Sequence, residues 1–420
     1  MRKYLFTLII ALFILLSISS AADLYQQGIE LLKQQKYAEA TAVFEQYLAT
    51  DSTNAKAYYN LGLAYANVNK ITAAVDAWKK AILINPDFEE AHYNLGLIYN
   101  RPDAYHTPEA IQEFQTVLKL NPNNYKAAYQ LAGAYFRLGN HADAIQELDK
   151  SLAINPEFLA ARSLKVSAYQ MVRNYSAAIT EAKLILQKEN NEANKSVLFN
   201  LYLTYGTILR TEKKYQAALT ELYIAQKMVS NHPQVQYELA NTYAALGQLQ
   251  NAETLFEYVL ARDPNSLILL NNIAYFYADN NIKLDRATLL IDSAIRILPI
   301  DNEAMVWVLL DTKGWIEFRL GNYENAYILL GKGLNKLIEP YQPEPGLNEK
   351  DLAAFLAVQP NYELFPEVMQ VRYHLALVAW QLDKKEECRQ VLDQIIAVNT
   401  SDPAGLEWQQ KAKDWLGEKK

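Results

Sequence analysis

The stretch AYYNLGLAY at residues 57–65 returns as AHYNLGLIY at residues 91–99. Looser copies follow as AAYQLAGAY at 127–135 and VQYELANTY at 235–243. A period of about 34 residues indicates an array of small repeated structural elements rather than two or three unrelated domains. The architecture of this 420-residue chain therefore follows from its repeats.

The period extends over ten repeats in which two positions are restricted almost entirely to small residues. The repeats begin at residues 21, 55, 89, 125, 159, 199, 233, 267, 307 and 369. Position 8 of successive repeats is Gly28, Gly62, Gly96, Ala132, Val166, Gly206, Ala240, Ala274, Gly314 and Ala376. Position 20 is Ala40, Ala74, Ala110, Ala144, Ala178, Ala218, Ala252, Ala287, Ala326 and Cys388. Because helices approach closely only where side chains are small, the two columns predict where two helices of each repeat cross.

The residues around these columns have a helical pattern. Ala74, Trp78 and Ala81 recur at intervals of three or four, which is typical of an amphipathic helix. Asn-Pro or Asp-Pro pairs at 85, 121, 155 and 263 predict the ends of second helices, because proline lacks an amide hydrogen. Gly139, Gly247 and Gly321 predict the turns inside repeats.

In this combination of Leu-Gly, Tyr, Ala, a large apolar residue, Ala and Pro, the chain resembles tetratricopeptide-repeat proteins from residue 23 to 402. The second repeat matches best, whereas the fifth carries Lys165 and Val166 in place of Leu-Gly. The resemblance implies an all-α fold, a right-handed superhelical solenoid of about ten helix-turn-helix repeats. Residues 403–417 are expected to form a C-terminal capping helix. The predicted divisions are a signal peptide at 1–22, repeat arrays at 23–192 and 193–340, a Pro-rich insertion at 341–368, and the last repeat with its cap at 369–420.

The N-terminus has the pattern of a secretory signal. Met1-Arg2-Lys3 is positively charged, residues 5–18 are almost entirely apolar, and Ser-Ser-Ala-Ala follows at 19–22. Together with a resemblance to bacterial envelope repeat proteins, this pattern predicts an exported protein of the periplasm or cell envelope. The alternative is an uncleaved signal-anchor, in which case the membrane is contacted only through this segment.

The family resemblance implies that positions 2, 5, 9, 12 and 13 line a concave groove. Position 5 is tyrosine in six of the ten repeats, and tyrosine combines a large rigid contact area with a polar tip. The expected partner-binding residues are Tyr25, Tyr59, Tyr93, Tyr129, Arg137, Tyr237, Tyr275, Trp315, Phe318, Tyr373 and Trp380. The alternative is that the tyrosines, and Trp315 beside Gly314, simply pack between helices.

Other classes of function lack a pattern in this sequence. A net charge of −7 argues against nucleic acid as the main ligand. The five histidines have no metal-ligand spacing, and Cys388 stands in the alanine column. We therefore expect no catalytic residues, no metal and no cofactor. The expected partner is a protein or peptide, bound in assembling envelope complexes or, in the alternative, by a membrane-tethered assembly subunit.

Overall fold

The computed structural model describes residues 21–101, 106–299, 302–338, 366–398 and 400–419. These ranges contain 21 α-helices and no strands. The helices are α1 (Ala21–Lys33), α2 (Tyr37–Thr50), α3 (Ala55–Asn67), α4 (Ile71–Ile84), α5 (Glu89–Tyr99), α6 (Thr107–Leu120), α7 (Tyr125–Arg137), α8 (His141–Ile154), α9 (Leu159–Met171), α10 (Tyr175–Lys188), α11 (Glu192–Thr211), α12 (Tyr215–Met228), α13 (Pro233–Ala245), α14 (Leu249–Arg262), α15 (Leu267–Asp279), α16 (Leu284–Ile297), α17 (Glu303–Arg319), α18 (Tyr323–Ile338), α19 (Pro366–Gln381), α20 (Lys385–Ala397) and α21 (Pro403–Glu418).

The helices pair as the sequence period predicts. Each of the ten repeats consists of an odd-numbered first helix followed by an even-numbered second helix. Within a repeat the two helices pack together, as α3 packs on α4, and second helices also pack on the next first helix, as α2 packs on α3. The predicted all-α class of helix-turn-helix repeats is confirmed.

The chain forms two compact units, an N-terminal unit of residues 1–205 and a C-terminal unit of residues 206–420. The division falls inside α11, which at 20 residues is longer than the other first helices. The predicted signal peptide and insertion lie outside the described residues, except for 21–22 in α1 and 366–368 in α19. No helix among the described residues is long and apolar enough to span a bilayer.

The turn inside a repeat has the same backbone conformation whether or not it contains glycine. Position 15 has positive φ in all nine repeats where it is described, and only Gly139, Gly247 and Gly321 are glycines there. The amide of the next residue then closes the first helix, as when Lys70 N donates to Tyr65 O at 2.8 Å. The turn is therefore maintained by helix packing as well as by residue choice.

The two columns of small residues are buried at the centre of each repeat. Every member of the position-20 column is 0% exposed, including Cys388. The glycines of position 8 pack against the large residue at position 24: a Cβ on Gly28 would lie 2.7 Å from Phe44 Cζ, and one on Gly62 would lie 2.8 Å from Trp78 Cε2. Position 8 is therefore small because position 24 is large.

The fifth repeat replaces apolar packing with an ionic cluster. Lys165 Nζ lies 2.7 Å from Glu181 Oε1 and 2.6 Å from Asp149 Oδ1, and Arg162 donates to the other oxygen of Glu181 at 2.7 Å. These partners neutralise a lysine that is 8% exposed. The departure from the repeat pattern at Lys165 therefore leaves the helical hairpin intact.

Candidate functional site

The predicted tyrosines of the N-terminal unit form a ladder along its first helices. Asn94 Nδ2 donates to the hydroxyl of Tyr59 at 3.1 Å, and Asn60 Nδ2 reaches that of Tyr25 at 3.4 Å. Each amide stands at position 6, one repeat after the tyrosine at position 5. The tyrosine hydroxyls thereby join consecutive repeats.

The rings of the same tyrosines pack against aromatic side chains nearby. Tyr59 lies 5.0 Å from Phe88, Tyr93 lies 6.0 Å from Phe114, and Tyr129 lies 5.0 Å from Phe158, measured between ring centroids. The four tyrosines, Tyr25, Tyr59, Tyr93 and Tyr129, are half-buried. Burial raises the pKa of Tyr59 and Tyr93, so both stay neutral. These tyrosines pack within the scaffold and leave part of their surface accessible, whereas Arg137 is exposed at the end of α7.

In the C-terminal unit four predicted residues meet in one aromatic cluster. The cluster consists of Tyr275, Trp315, Phe318, Tyr373, His374 and Trp408. The His374 ring stacks on Trp315 with ring centroids 4.2 Å apart, and the Phe318 ring also stacks on Trp315, with centroids 4.9 Å apart. Tyr373 joins through Trp408 at 5.6 Å, and Tyr275 through His374 at 6.2 Å.

The members of this aromatic cluster differ in exposure. Trp315 is 4% exposed and lies beneath the surface, whereas Tyr275, Phe318 and Tyr373 are half-buried. The guanidinium of Arg319 lies over the Trp315 ring, with Cζ 4.6 Å from the centroid. A bound molecule would therefore contact Tyr275, Phe318 and Tyr373 before Trp315.

His374 holds the aromatic cluster together through a buried hydrogen bond. Its Nδ1 lies 2.8 Å from Asp311 Oδ1, and Gln370 Nε2 donates to the second oxygen of Asp311 at 3.0 Å. Both His374 and Asp311 are nearly inaccessible to water. The pair occupies positions 6 and 5 of the last two repeats, so it replaces the Asn–Tyr rung of the ladder.

Two predicted residues lie apart from this cluster. The Trp380 ring packs on Trp415 of α21, with centroids 4.9 Å apart. Tyr237 repeats the ladder instead, since Asn272 Nδ2 donates to its hydroxyl at 2.6 Å. The predicted partner-binding residues therefore fall into separate groups of contacting side chains, and the described contacts do not connect them into one continuous surface.

The sequence predicted no role for His374, Asp311 or Trp408. A signal existed, since position 6 of one repeat contacts position 5 of the preceding repeat throughout the ladder. Trp408 follows Tyr373 by 35 residues, the spacing that also separates Asn94 from Tyr59. The insertion before residue 366 obscures this spacing for His374 and Asp311.

Little among the described residues favours chemistry at this site. No group of His, Cys, Asp or Glu side chains among them is arranged to hold a metal ion. Burial raises the pKa of the Cys388 thiol to about 11, so the reactive thiolate is scarce at neutral pH. His92 bridges Glu113 Oε2 at 2.6 Å and the carbonyl of Pro86 at 2.9 Å, which is a structural role.

Comparison with known families yields one consistent result. Four family models, each described as tetratricopeptide repeat, match residues 55–88, 103–166, 206–266 with 237–299, and 369–394. Together these ranges cover just over half of the chain. A search among curated proteins found no significant match.

Solved structures of other proteins are similar over part of the chain. A crystal structure of MamA protein is 25% identical, covering 41% of this chain and 93% of that one, with a TM-score of 0.38. MamA 41-end from Desulfovibrio magneticus RS-1 is 18% identical, covering 42% and 99%, with a TM-score of 0.39. A tetratricopeptide repeat protein from Parabacteroides merdae ATCC 43184 is 16% identical, covering 59% and 95%, with a TM-score of 0.38.

Proposed function

We propose that this chain, which belongs to the tetratricopeptide-repeat family and is a protein–protein interaction scaffold, binds a peptide or partner protein without catalysis. The binding surface in this proposal is a concave groove formed by the first helices. The observation that carries the proposal is the aromatic cluster. Tyr275, Phe318 and Tyr373 expose part of each ring on first helices, above a floor formed by Trp315. Large, rigid aromatic side chains are the usual anchors of a protein interface.

The support beneath these rings favours binding over a merely exposed apolar surface. The buried His374–Asp311 pair and the stacked Trp315 ring hold the half-buried rings before a partner arrives. A preformed surface loses less side-chain entropy on binding, which increases affinity for a given contact area.

The location we propose is the periplasm or cell envelope, with a role in assembling envelope complexes. The support is the positively charged, apolar and small-residue sequence of positions 1–22. The alternative is a membrane-tethered assembly subunit that keeps this segment as an anchor. The intact mass of the protein isolated from its native cells separates the two: loss of residues 1–22 supports export, and a retained Met1 supports the tether.

Binding can be tested with a displayed library of random extended peptides and the purified chain. We expect retained peptides to lose most of their affinity for the Tyr373→Ser variant, because that ring lies on the first-helix face. The matched control is Tyr223→Ser, which removes an exposed tyrosine from the second helix α12. Equal loss of affinity in both folded variants, or none in either, would contradict binding at the aromatic cluster.

A further inference from the structure

The acidic character of the chain is concentrated in its C-terminal unit, both in the full chain and after loss of residues 1–22. That loss removes Arg2 and Lys3 and gives the N-terminal unit a net charge of −2 (17 basic against 19 acidic residues). Residues 206–420 contain 28 Asp or Glu and 21 Lys or Arg, whereas residues 1–205 contain 19 of each. The net charge of −7 therefore belongs to the unit that carries the aromatic cluster. If the acidic residues served only to keep the chain in solution, there would be no reason for the two units to differ in net charge.

Part of this negative charge lies on the helices that carry the aromatic cluster. Asp279 follows Tyr275 by one helical turn on α15, and its carbonyl oxygen accepts a hydrogen bond from Arg319 at 2.9 Å. Asp414 and Glu418 lie on α21, which carries Trp408. The pKa of Tyr275 is raised well above its ordinary value, first by burial and then by the carboxylates of Asp279 and Asp311. The pKa of Tyr373 is raised first by burial and then by Glu418, with Asp279 and Asp414 adding to it. The guanidinium of Arg319 opposes these carboxylates at both tyrosines.

Two carboxylates near the cluster, Asp311 and Glu407, already have partners within the unit. Asp311 is paired with His374, and Glu407 lies 2.8 Å from Lys213 Nζ and 3.3 Å from Lys411 Nζ. The remaining three, Asp279, Asp414 and Glu418, are exposed and form no ion pair with any described residue. Their charge is available to a ligand.

A buried polar group on the same face also lacks a partner. Asn271 is 5% exposed, and its Oδ1 accepts no hydrogen bond from the described part of the chain. Asn271 lies one helical turn before Tyr275 on α15, so both side chains are on the same face of that helix. Trp315 Nε1 and Arg319 Nε are also buried without a partner among the described residues, so the unpartnered atoms of this cluster include donors as well as an acceptor. Unpartnered buried polar atoms are costly, and they favour a ligand with polar groups over a purely apolar one.

The aromatic cluster already binds cations from its own chain. Lys411 Nζ lies 3.9 Å from the centroid of the Trp408 ring, and Arg319 stacks on Trp315 as described above. Positive groups are attracted to the faces of aromatic rings, and more so where carboxylates lie beside them.

We propose that the aromatic cluster of the C-terminal unit binds a Lys- or Arg-rich extended segment of a partner protein. The inference rests on the proposed function, since it names the chemistry of the partner bound there. The apolar parts of the segment contact Tyr275, Phe318 and Tyr373, and its cations approach Asp279, Asp414 and Glu418. Long-range attraction by the acidic unit accelerates the encounter and makes it sensitive to salt.

The test uses the full chain and three libraries of fluorescent peptides that differ only in the residue at every third position. That residue is Lys or Arg in the first library, Gln in the second and Glu in the third. We expect the basic library to bind about tenfold more tightly than the Gln library at low salt, a difference of about 1.4 kcal/mol. The acidic library should bind most weakly, and added salt should reduce the differences.

Two variants locate the effect. Asp279→Asn combined with Asp414→Asn should weaken binding of basic peptides by about 1.5- to 5-fold for each charge, the range of exposed ion pairs. The control, Asp76→Asn combined with Asp393→Asn, removes two exposed charges from second helices and should leave the affinity unchanged.

The outcomes separate this inference from the proposed function. If Gln peptides bind as tightly as basic ones while Tyr373→Ser still abolishes binding, the charge preference is wrong and the groove remains. If the control variant weakens binding as much as the test variant, only the overall charge acts and the site assignment is wrong. If no library binds, both proposals fail.

Discussion

Replacing Gly62 by alanine tests the central packing contact of the fold. The glycine lies in α3, where alanine would ordinarily stabilise the helix by about 1 kcal/mol. Here the added methyl group would lie 2.8 Å from Trp78 Cε2, closer than side-chain carbons pack. Overpacking of this kind costs about 1–3 kcal/mol.

The Trp78 ring has little room to move away. It is 2% exposed, and its Nε1 donates to the carbonyl of Tyr59 at 3.2 Å. Moving the ring breaks that bond, and a buried donor left unsatisfied costs about 1–3 kcal/mol. Adding the two costs and subtracting the helical gain of about 1 kcal/mol, we expect Gly62→Ala to destabilise the second repeat by about 1–5 kcal/mol.

Gly133→Ala is the matched control. Gly133 also lies inside a first helix, α7, but a Cβ there would meet no atom within 4 Å. The same substitution should therefore stabilise that helix by about 1 kcal/mol. The two variants are expected to differ in sign.

Hydrogen exchange measured by mass spectrometry is the appropriate assay, because repeat arrays open locally and do not always unfold in one step. Peptides within residues 55–88 should lose protection in Gly62→Ala, and peptides within residues 125–158 should gain it in Gly133→Ala. If Gly62→Ala increased protection as Gly133→Ala does, the contact between positions 8 and 24 would not restrict position 8 to small residues.

Three further predictions concern the N-terminal unit. The pKa of His92 is raised above 6.5, mainly by its hydrogen bond to Glu113. The protonated ring therefore stabilises the fold fully below about pH 6.5, and this contribution is lost as pH rises through the raised pKa. Chemical denaturation at several pH values should show that the free energy of unfolding depends less on pH in His92→Gln than in the unmodified protein. Tyr59→Phe removes the hydroxyl bound by Asn94 and should cost about 0.5–1.5 kcal/mol; a double-mutant cycle with Asn94→Ala that gives no coupling would disprove the ladder. Ala74→Leu should cost about 1–3 kcal/mol at a 0% exposed position, and unchanged thermal unfolding would be inconsistent with close helix crossing.

Much of the fold could be predicted because repetition multiplies a weak signal. A single Leu-Gly pair says little, but Gly62, Gly96, Gly206 and Gly314 at one position of different repeats establish helix register along the chain. Alanine at position 20 was equally informative, since every described member of that column is fully buried. The turns could be located from three glycines, but not the left-handed conformation of Lys213 or Arg173, which tertiary packing imposes on residues that do not favour it.

The candidate site was less predictable, because side-chain contacts between repeats depend on atoms that the period does not describe. Trp315 and Tyr373 were selected from the sequence, whereas the His374–Asp311 pair that supports them was not. The spacing of 63 residues between these partners includes the insertion, so no simple repeat register relates them.

The amino-acid sequence alone therefore determined the helices, their pairing and the positions of small residues, because these follow from local periodicity and side-chain size. Only the tertiary structure decided which first-helix residues are exposed and which are buried, as Trp315 and Phe318 show. It also decided which carboxylates keep their charge for a ligand, since pairing depends on distances between side chains remote in sequence. Burial and charge pairing are properties of the packed chain, and the repeat pattern does not specify them.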